Sequence, residues 1–121
     1  MSQFRYPRSH RLLKTAEFDR VFQRRRSQSD GVLVLYACAN GLDHSRLGMV
    51  VSRKVGSAVM RARWKRCLRE AFRLSQRELP AGLDLVVLPR AGIEPTTPMV
   101  RESLGTLVAK LERRHRVRES S

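Results

Sequence analysis

Residues Ser52–Arg77 read SRKVGSAVMRARWKRCLREAFRLSQR, and the phase of their apolar side chains decides the architecture. Met60, Trp64, Cys67, Leu68 and Ala71 fall at i, i+4, i+7, i+8 and i+11, which at about 100° per residue makes one stripe along a helix. Arg61, Lys65, Arg66, Arg69 and Arg73 fan around the other side. Ser57 stands just before the periodic run, where its hydroxyl can accept from the free amides of the first turn. Pro80-Ala81-Gly82 ends the element. A helix apolar on one side must bury that side on another layer.

The flanking sequence supplies that layer. Upstream, Val32–Ala39 (VLVLYACA) is a continuous run rich in β-branched and aromatic residues and follows an Asp30-Gly31 turn signal, so it reads as a strand. Arg46–Ser52 (RLGMVVS) is a second strand, and the connection from Asn40 to Ser45 fits an antiparallel hairpin with a longer loop. Downstream, Leu83–Leu88 (LDLVVL) is a third, stopped by Pro89. Thr15 can cap a short helix from Ala16 that carries Phe18, Val21 and Phe22 on one face. Thr97-Pro98 opens a last helix with the stripe Val100, Leu104, Leu107, Val108 and Leu111. The expected fold is α+β, a single-domain sandwich in which one mainly antiparallel sheet is covered by helices. A basic flexible arm (1–14) and a basic flexible tail (113–121) flank a domain of residues 15–112.

With 121 residues there is room for one ordinary core. The 25 Lys and Arg outnumber the 11 Asp and Glu for a net charge of +14, and the segment from Arg53 to Arg77 alone holds nine basic residues against Glu70. Such a field attracts polyanions by steering and by counterion release. A solvated helix face normally intersperses charge signs for support between neighbouring turns, and this one does not, which favours nucleic acid over a merely solvated face. An anionic membrane would also attract the charge, but insertion needs an apolar face in lipid, and the helix's stripe is committed to the core. The N-terminal sequence has no apolar run of signal-peptide length, and Cys38 and Cys67 read as isolated reduced thiols. The expected compartment is the cytoplasm.

The acids are scattered and form no HExxH, GxSxG or P-loop pattern, so no catalytic constellation or metal site is expected. His10, His44 and His115 read as solvated side chains of arm, loop and tail. Trp64 falls in the apolar stripe and reads as core. Phe18 and Phe22 fit a core face or a ligand platform, and Tyr36 could stack on a base if its side of the sheet is open.

The run from Arg53 to Phe72 resembles the signature helix of the bacterial ribonuclease P protein family, approximately K-K-x-G-N-A-V-x-R-N-R-x-K-R-x-x-R-E-x-F. Arg53, Lys54, Gly56, Ala58, Val59, Arg61, Arg63, Lys65, Arg66, Arg69, Glu70 and Phe72 agree in kind and spacing. Arg11 to Phe18 (R-L-x-K-x-x-E-F), Val34 to Tyr36 and the R-L-G-M-V-V-S strand also sit where that family has them. Ser57 and Ala62 replace the family's two asparagines, and Ala62 cannot hydrogen-bond.

The resemblance implies an α-β-β-β-α-β-α order like domain 2 of ribosomal protein S5, with a left-handed βαβ crossover around the central helix. It implies a ribonucleoprotein subunit in tRNA 5′ maturation, with Mg2+ and the chemistry on the RNA subunit. Arg53, Lys54, Arg61, Arg63, Lys65, Arg66, Arg69 and Arg73 would bind the catalytic RNA. Phe18, Phe22, Val34 and Tyr36 would line a cleft for the 5′ leader of precursor tRNA, with no small-molecule substrate. The alternative is a ribosomal or assembly protein that binds structured RNA without processing it. A DNA-binding domain is disfavoured because the central helix lacks a helix-turn-helix neighbour.

Overall fold

The computed structural model describes the backbone of residues 8–120 and the side chains of residues 8–114. After a short 3-10 turn at Arg8–His10, the order is α1 (Thr15–Gln23), β1 (Ser27–Ser29), β2 (Leu33–Ala39), β3 (Arg46–Met49), a second 3-10 turn (Arg53–Val55), α2 (Ala58–Ser75), β4 (Leu83–Pro89) and α3 (Thr97–Ser120). This is the α-β-β-β-α-β-α order of an α+β domain.

Four strands form one sheet in the order β1-β2-β4-β3. β1 pairs antiparallel with β2, β2 antiparallel with β4, and β3 parallel with β4. The hairpin expected between the second and third of these strands therefore does not form, because β4 lies between them. The reason is legible in β4 itself: Asp84, Leu85, Val86 and Val87 are all buried, and only a central strand hides consecutive residues on both faces. The β3–α2–β4 crossover joins neighbouring parallel strands, the unit for which the resemblance implies a left-handed path. β1 is a polar edge strand that no hydrophobic pattern marks.

The sheet separates two apolar clusters. On one face Leu33, Leu35, Leu47, Leu85 and Val87 meet Trp64, Cys67, Leu68, Ala71 and Phe72 of α2 and Val100, Leu104, Leu107 and Val108 of α3. Trp64 is fully buried, as its place in the stripe requires. On the other face Cys38 and Val86 pack with Leu12 and Val21, bordered by Phe18, Phe22, Tyr36, Val50 and Leu88. Cys38 and Cys67 are buried and unbridged, and they belong to opposite faces of the sheet.

Caps set the helix starts. Ser57 does cap α2, its Oγ accepting from the Met60 amide at 3.2 Å. Thr97 does not cap α3: Thr96 Oγ1 accepts from the Met99 amide at 3.3 Å, one residue earlier than expected. Nor does Thr15 cap α1. Glu17 reaches back instead, Oε1 accepting from the amides of Leu13 (2.9 Å) and Lys14 (3.0 Å), and these two bonds lead the forces that hold its carboxyl below the usual range.

Leu12 is buried and its amide donates to the Leu47 carbonyl at 3.0 Å, so residues 8–14 are fastened along the β3 edge. At the other end α3 continues without a break through the 112/113 boundary. Residues 1–7, the rest of the expected arm, lie outside the described residues.

Candidate nucleic-acid interface

The buried stripe of α2 fixes which of its residues face outward. With Trp64, Cys67, Leu68, Ala71, Phe72 and Ser75 buried, the line of Val59, Ala62, Arg66, Arg69 and Arg73 points directly away from the core at about 100° per residue. Arg53, Lys54, Lys65, Arg66 and Arg69 are exposed, and none of them takes part in an ion pair among the described residues. Arg53 and Lys54 sit on the 3-10 turn that leads into α2, held there by Val55, which is buried.

The other three expected cations differ. Arg63 pairs with Glu94 at 3.2 Å and Arg73 with Glu70 at 2.6 Å. Both are partly exposed surface pairs, which are worth little and are easily exchanged for a stronger anion. Arg61 is half-buried, with its Nε enclosed and without a hydrogen-bond partner among the described residues. The face is therefore a line of unpaired charge from Lys65 to Arg69, with the turn at Arg53 and Lys54 at one end.

The expected cleft residues lie across the sheet from this helix. Phe22 and Tyr36 meet edge to face, with ring centroids 4.9 Å apart and planes at 81°. Val34, two residues before Tyr36 on β2, lies on the same face and is half-buried. Phe18 lies over β3, where a Cβ on Gly48 would come within 2.6 Å of its Cε1 and 2.7 Å of its Cζ. Gly48 is thus the residue that lets the ring approach the strand so closely. Gly48→Ala is expected to lift Phe18 off β3 at a cost of about 1–3 kcal/mol, read as a lower urea midpoint together with shifted Phe18 ring resonances.

What holds α1 over the sheet was not found from the sequence. Asp84, fully buried, accepts from Arg46 Nε (2.8 Å) and Nη2 (2.7 Å), from Asn40 Nδ2 (2.9 Å) and from Arg20 of α1. Arg46 also binds Glu17 of α1 at 3.0 Å, and Arg20 donates to the Ala39 carbonyl at 3.1 Å. Burial alone would raise the Asp84 carboxyl, but the bonds from Arg46 and Asn40 and the charges of Arg46 and Arg20 outweigh it and hold the group below its ordinary value. A single Asp inside LDLVVL was the available signal, since a charge in a buried strand must be paired.

The histidines also depart from expectation. His10 and His44 stack with centroids 4.3 Å apart, and His44 bridges Asp43 (2.9 Å) and the Ser9 carbonyl (3.0 Å) through its two ring nitrogens. They tie the first turn to the β2–β3 loop. The His115 side chain lies outside the described residues. Among the described residues no three His, Cys, Asp or Glu side chains come together as a metal ion would need, and no helix is long and apolar enough to cross a membrane.

The family model for ribonuclease P matches residues 6–112, which include both the α2 face and the cleft. The chain belongs to the ribonuclease P protein family. It is similar to the ribonuclease P protein component of Chromobacterium violaceum, 43% identical over 122 residues that span 100% of this chain and 98% of that one. Among solved structures it resembles the ribonuclease P protein of Thermotoga maritima, with TM-score 0.74, 36% identity and coverage of 83% of this chain and 96% of that one. The Staphylococcus aureus protein gives TM-score 0.73 at 34% identity, covering 85% and 94%. As a family member the chain is a subunit of the ribonuclease P holoenzyme and serves tRNA 5′ maturation.

Proposed function

We propose that the outer face of α2 binds the catalytic RNA of ribonuclease P and that the α1 side of the sheet holds the 5′ leader of precursor tRNA. The observation that carries this reading is the line of unpaired cations on a helix whose opposite side is wholly committed to the core. Lys65, Arg66 and Arg69 neutralise phosphate, Arg53 and Lys54 extend the contact around the turn, and Arg63 and Arg73 join by releasing their surface glutamates. Arg61, half-buried, flanks this contact.

In the cleft Phe18, Phe22 and Tyr36 offer ring surface to unpaired bases, with Val34 beside them. Stacking of this kind is sequence-tolerant, which suits a leader whose sequence varies from one precursor to the next. The reading assigns Mg2+ to the RNA subunit, as the family resemblance implies. The protein's part is to lower the electrostatic cost of bringing RNA strands together where that ion binds. The holoenzyme would work in the cytoplasm.

Reconstitution tests this. The protein is mixed with a bacterial ribonuclease P RNA and precursor tRNA at low magnesium, and restored 5′ cleavage is the expected result. RNA binding without stimulated cleavage would point instead to an assembly protein.

A further inference from the structure

Val59 is the most exposed large apolar side chain among the described residues, at 80%. It stands in the first turn of α2 beside Ala58, with Ala62 one turn on, and all three are exposed. Val59 belongs to neither apolar cluster. It does not serve the helix either, because a β-branched residue loses rotamer freedom there and Ala would be preferred. An isolated exposed apolar residue needs no explanation. This one lies on the outward line of α2, with Arg53 and Lys54 on the 3-10 turn that precedes it and Arg63 and Arg66 at i+4 and i+7 on the same side of the helix.

A face that met phosphate alone would gain nothing from that position. Two small apolar side chains flanked by cations along one helix face match a ligand that is apolar in its middle and anionic at its edges. An unpaired nucleotide has this form, presenting a base face or ribose edge between two phosphates. Stacked duplex hides its base faces and shows phosphate outermost.

We propose that Val59 and Ala62 form an apolar step that receives one unpaired nucleotide of the bound RNA, while Arg63 and Arg66 hold the phosphates on either side. The proposal rests on the reading of α2 as the RNA face. It also gives Ala62 a role: where the signature has an asparagine, this chain extends the apolar step by one turn.

The step contributes through desolvation and the arginines through counterion release, so salt separates them. Affinity for a bacterial ribonuclease P RNA is measured over a range of salt concentrations for the unaltered protein and for Val59→Ser, Val59→Leu and Arg66→Ala. Val59→Ser is expected to bind about tenfold more weakly at every salt concentration, lowering the log–log line without changing its slope. Val59→Leu keeps the affinity, and Arg66→Ala makes the slope shallower. A fully duplex RNA should bind Val59→Ser as tightly as the unaltered protein.

Thermal unfolding of Val59→Ser should be unchanged, since the side chain has no core contact to lose. A Val59→Ser line that superimposes on that of the unaltered protein, or an equal loss on duplex RNA, overturns the proposal and leaves the RNA face intact. A flat salt response of the unaltered protein overturns the reading of α2 itself.

Discussion

Asp84→Ala is expected to remove about 3 kcal/mol of stability, the lower end of what breaking a buried ion pair costs. The lower end applies because Arg20 is 41% exposed and Arg46 19% exposed, so water can partly replace the lost partner. That loss is a large fraction of the 5–15 kcal/mol typical of a domain. It should appear as a lower urea midpoint at neutral pH. Asp84→Asn keeps the shape but removes the charge that Arg20 and Arg46 share, so it should fall nearly as far.

The same group sets an acid limit. Its carboxyl lies below the ordinary value in the folded chain, so the folded state holds the ionised form more tightly than the unfolded chain does. That stability is complete above the unfolded value of about 4 and is lost as pH falls through the lower folded value. Stability of the unaltered protein should therefore drop on acidification below about pH 4 more steeply than that of Asp84→Asn. An Asp84→Ala midpoint within experimental error of the unaltered protein would mean that α1 is held by its apolar contacts alone.

The second large effect concerns RNA. Arg66 and Arg69 are exposed and outward on α2, and neither takes part in an ion pair among the described residues. Arg66→Ala combined with Arg69→Ala should make the log–log salt slope shallower by about 1.8, so that with lines converging near one molar salt the double variant binds about 30-fold more weakly than the unaltered protein at physiological salt. The fold should be untouched, because both side chains project from the face opposite the core stripe. A double variant that binds with the original slope would place the RNA elsewhere on the chain.

How much of this was legible depended on the range of the interaction involved. The core stripe of α2, its Ser57 cap and the five-residue stripe of α3 are local patterns, and the structure has them as read. Strand neighbours are not local. Val32–Ala39 and Arg46–Ser52 are adjacent in sequence, so a hairpin was the economical reading, and only the two-sided burial of β4 places it between them. β1 was invisible to pattern reading because Ser27, Gln28 and Ser29 are polar and lie at an edge.

The cations of the interface were legible as a set but not as individuals. Sequence phase could not foresee that Arg63 and Arg73 have glutamate partners or that Arg61 is half-buried. The aromatic residues of the cleft were nameable through the resemblance. Gly48, which seats one of them, and Asp84, which fixes the helix bearing two of them, act through contacts from distant parts of the chain.

The strand order carries a consequence for synthesis. Because β4 occupies the middle of the sheet, β2 and β3 have no neighbour to share until residues 83–89 have been made. During translation the arginine-rich helix therefore leaves the ribosome before the layer it packs on can close, with both its apolar stripe and its charges uncovered. Non-local closure of this kind is slow and exposes the nascent chain to wrong partners. Until β4 is in place, the apolar stripe of α2 is as open to other partners as its charge, so the order of the strands sets how long both stay uncovered.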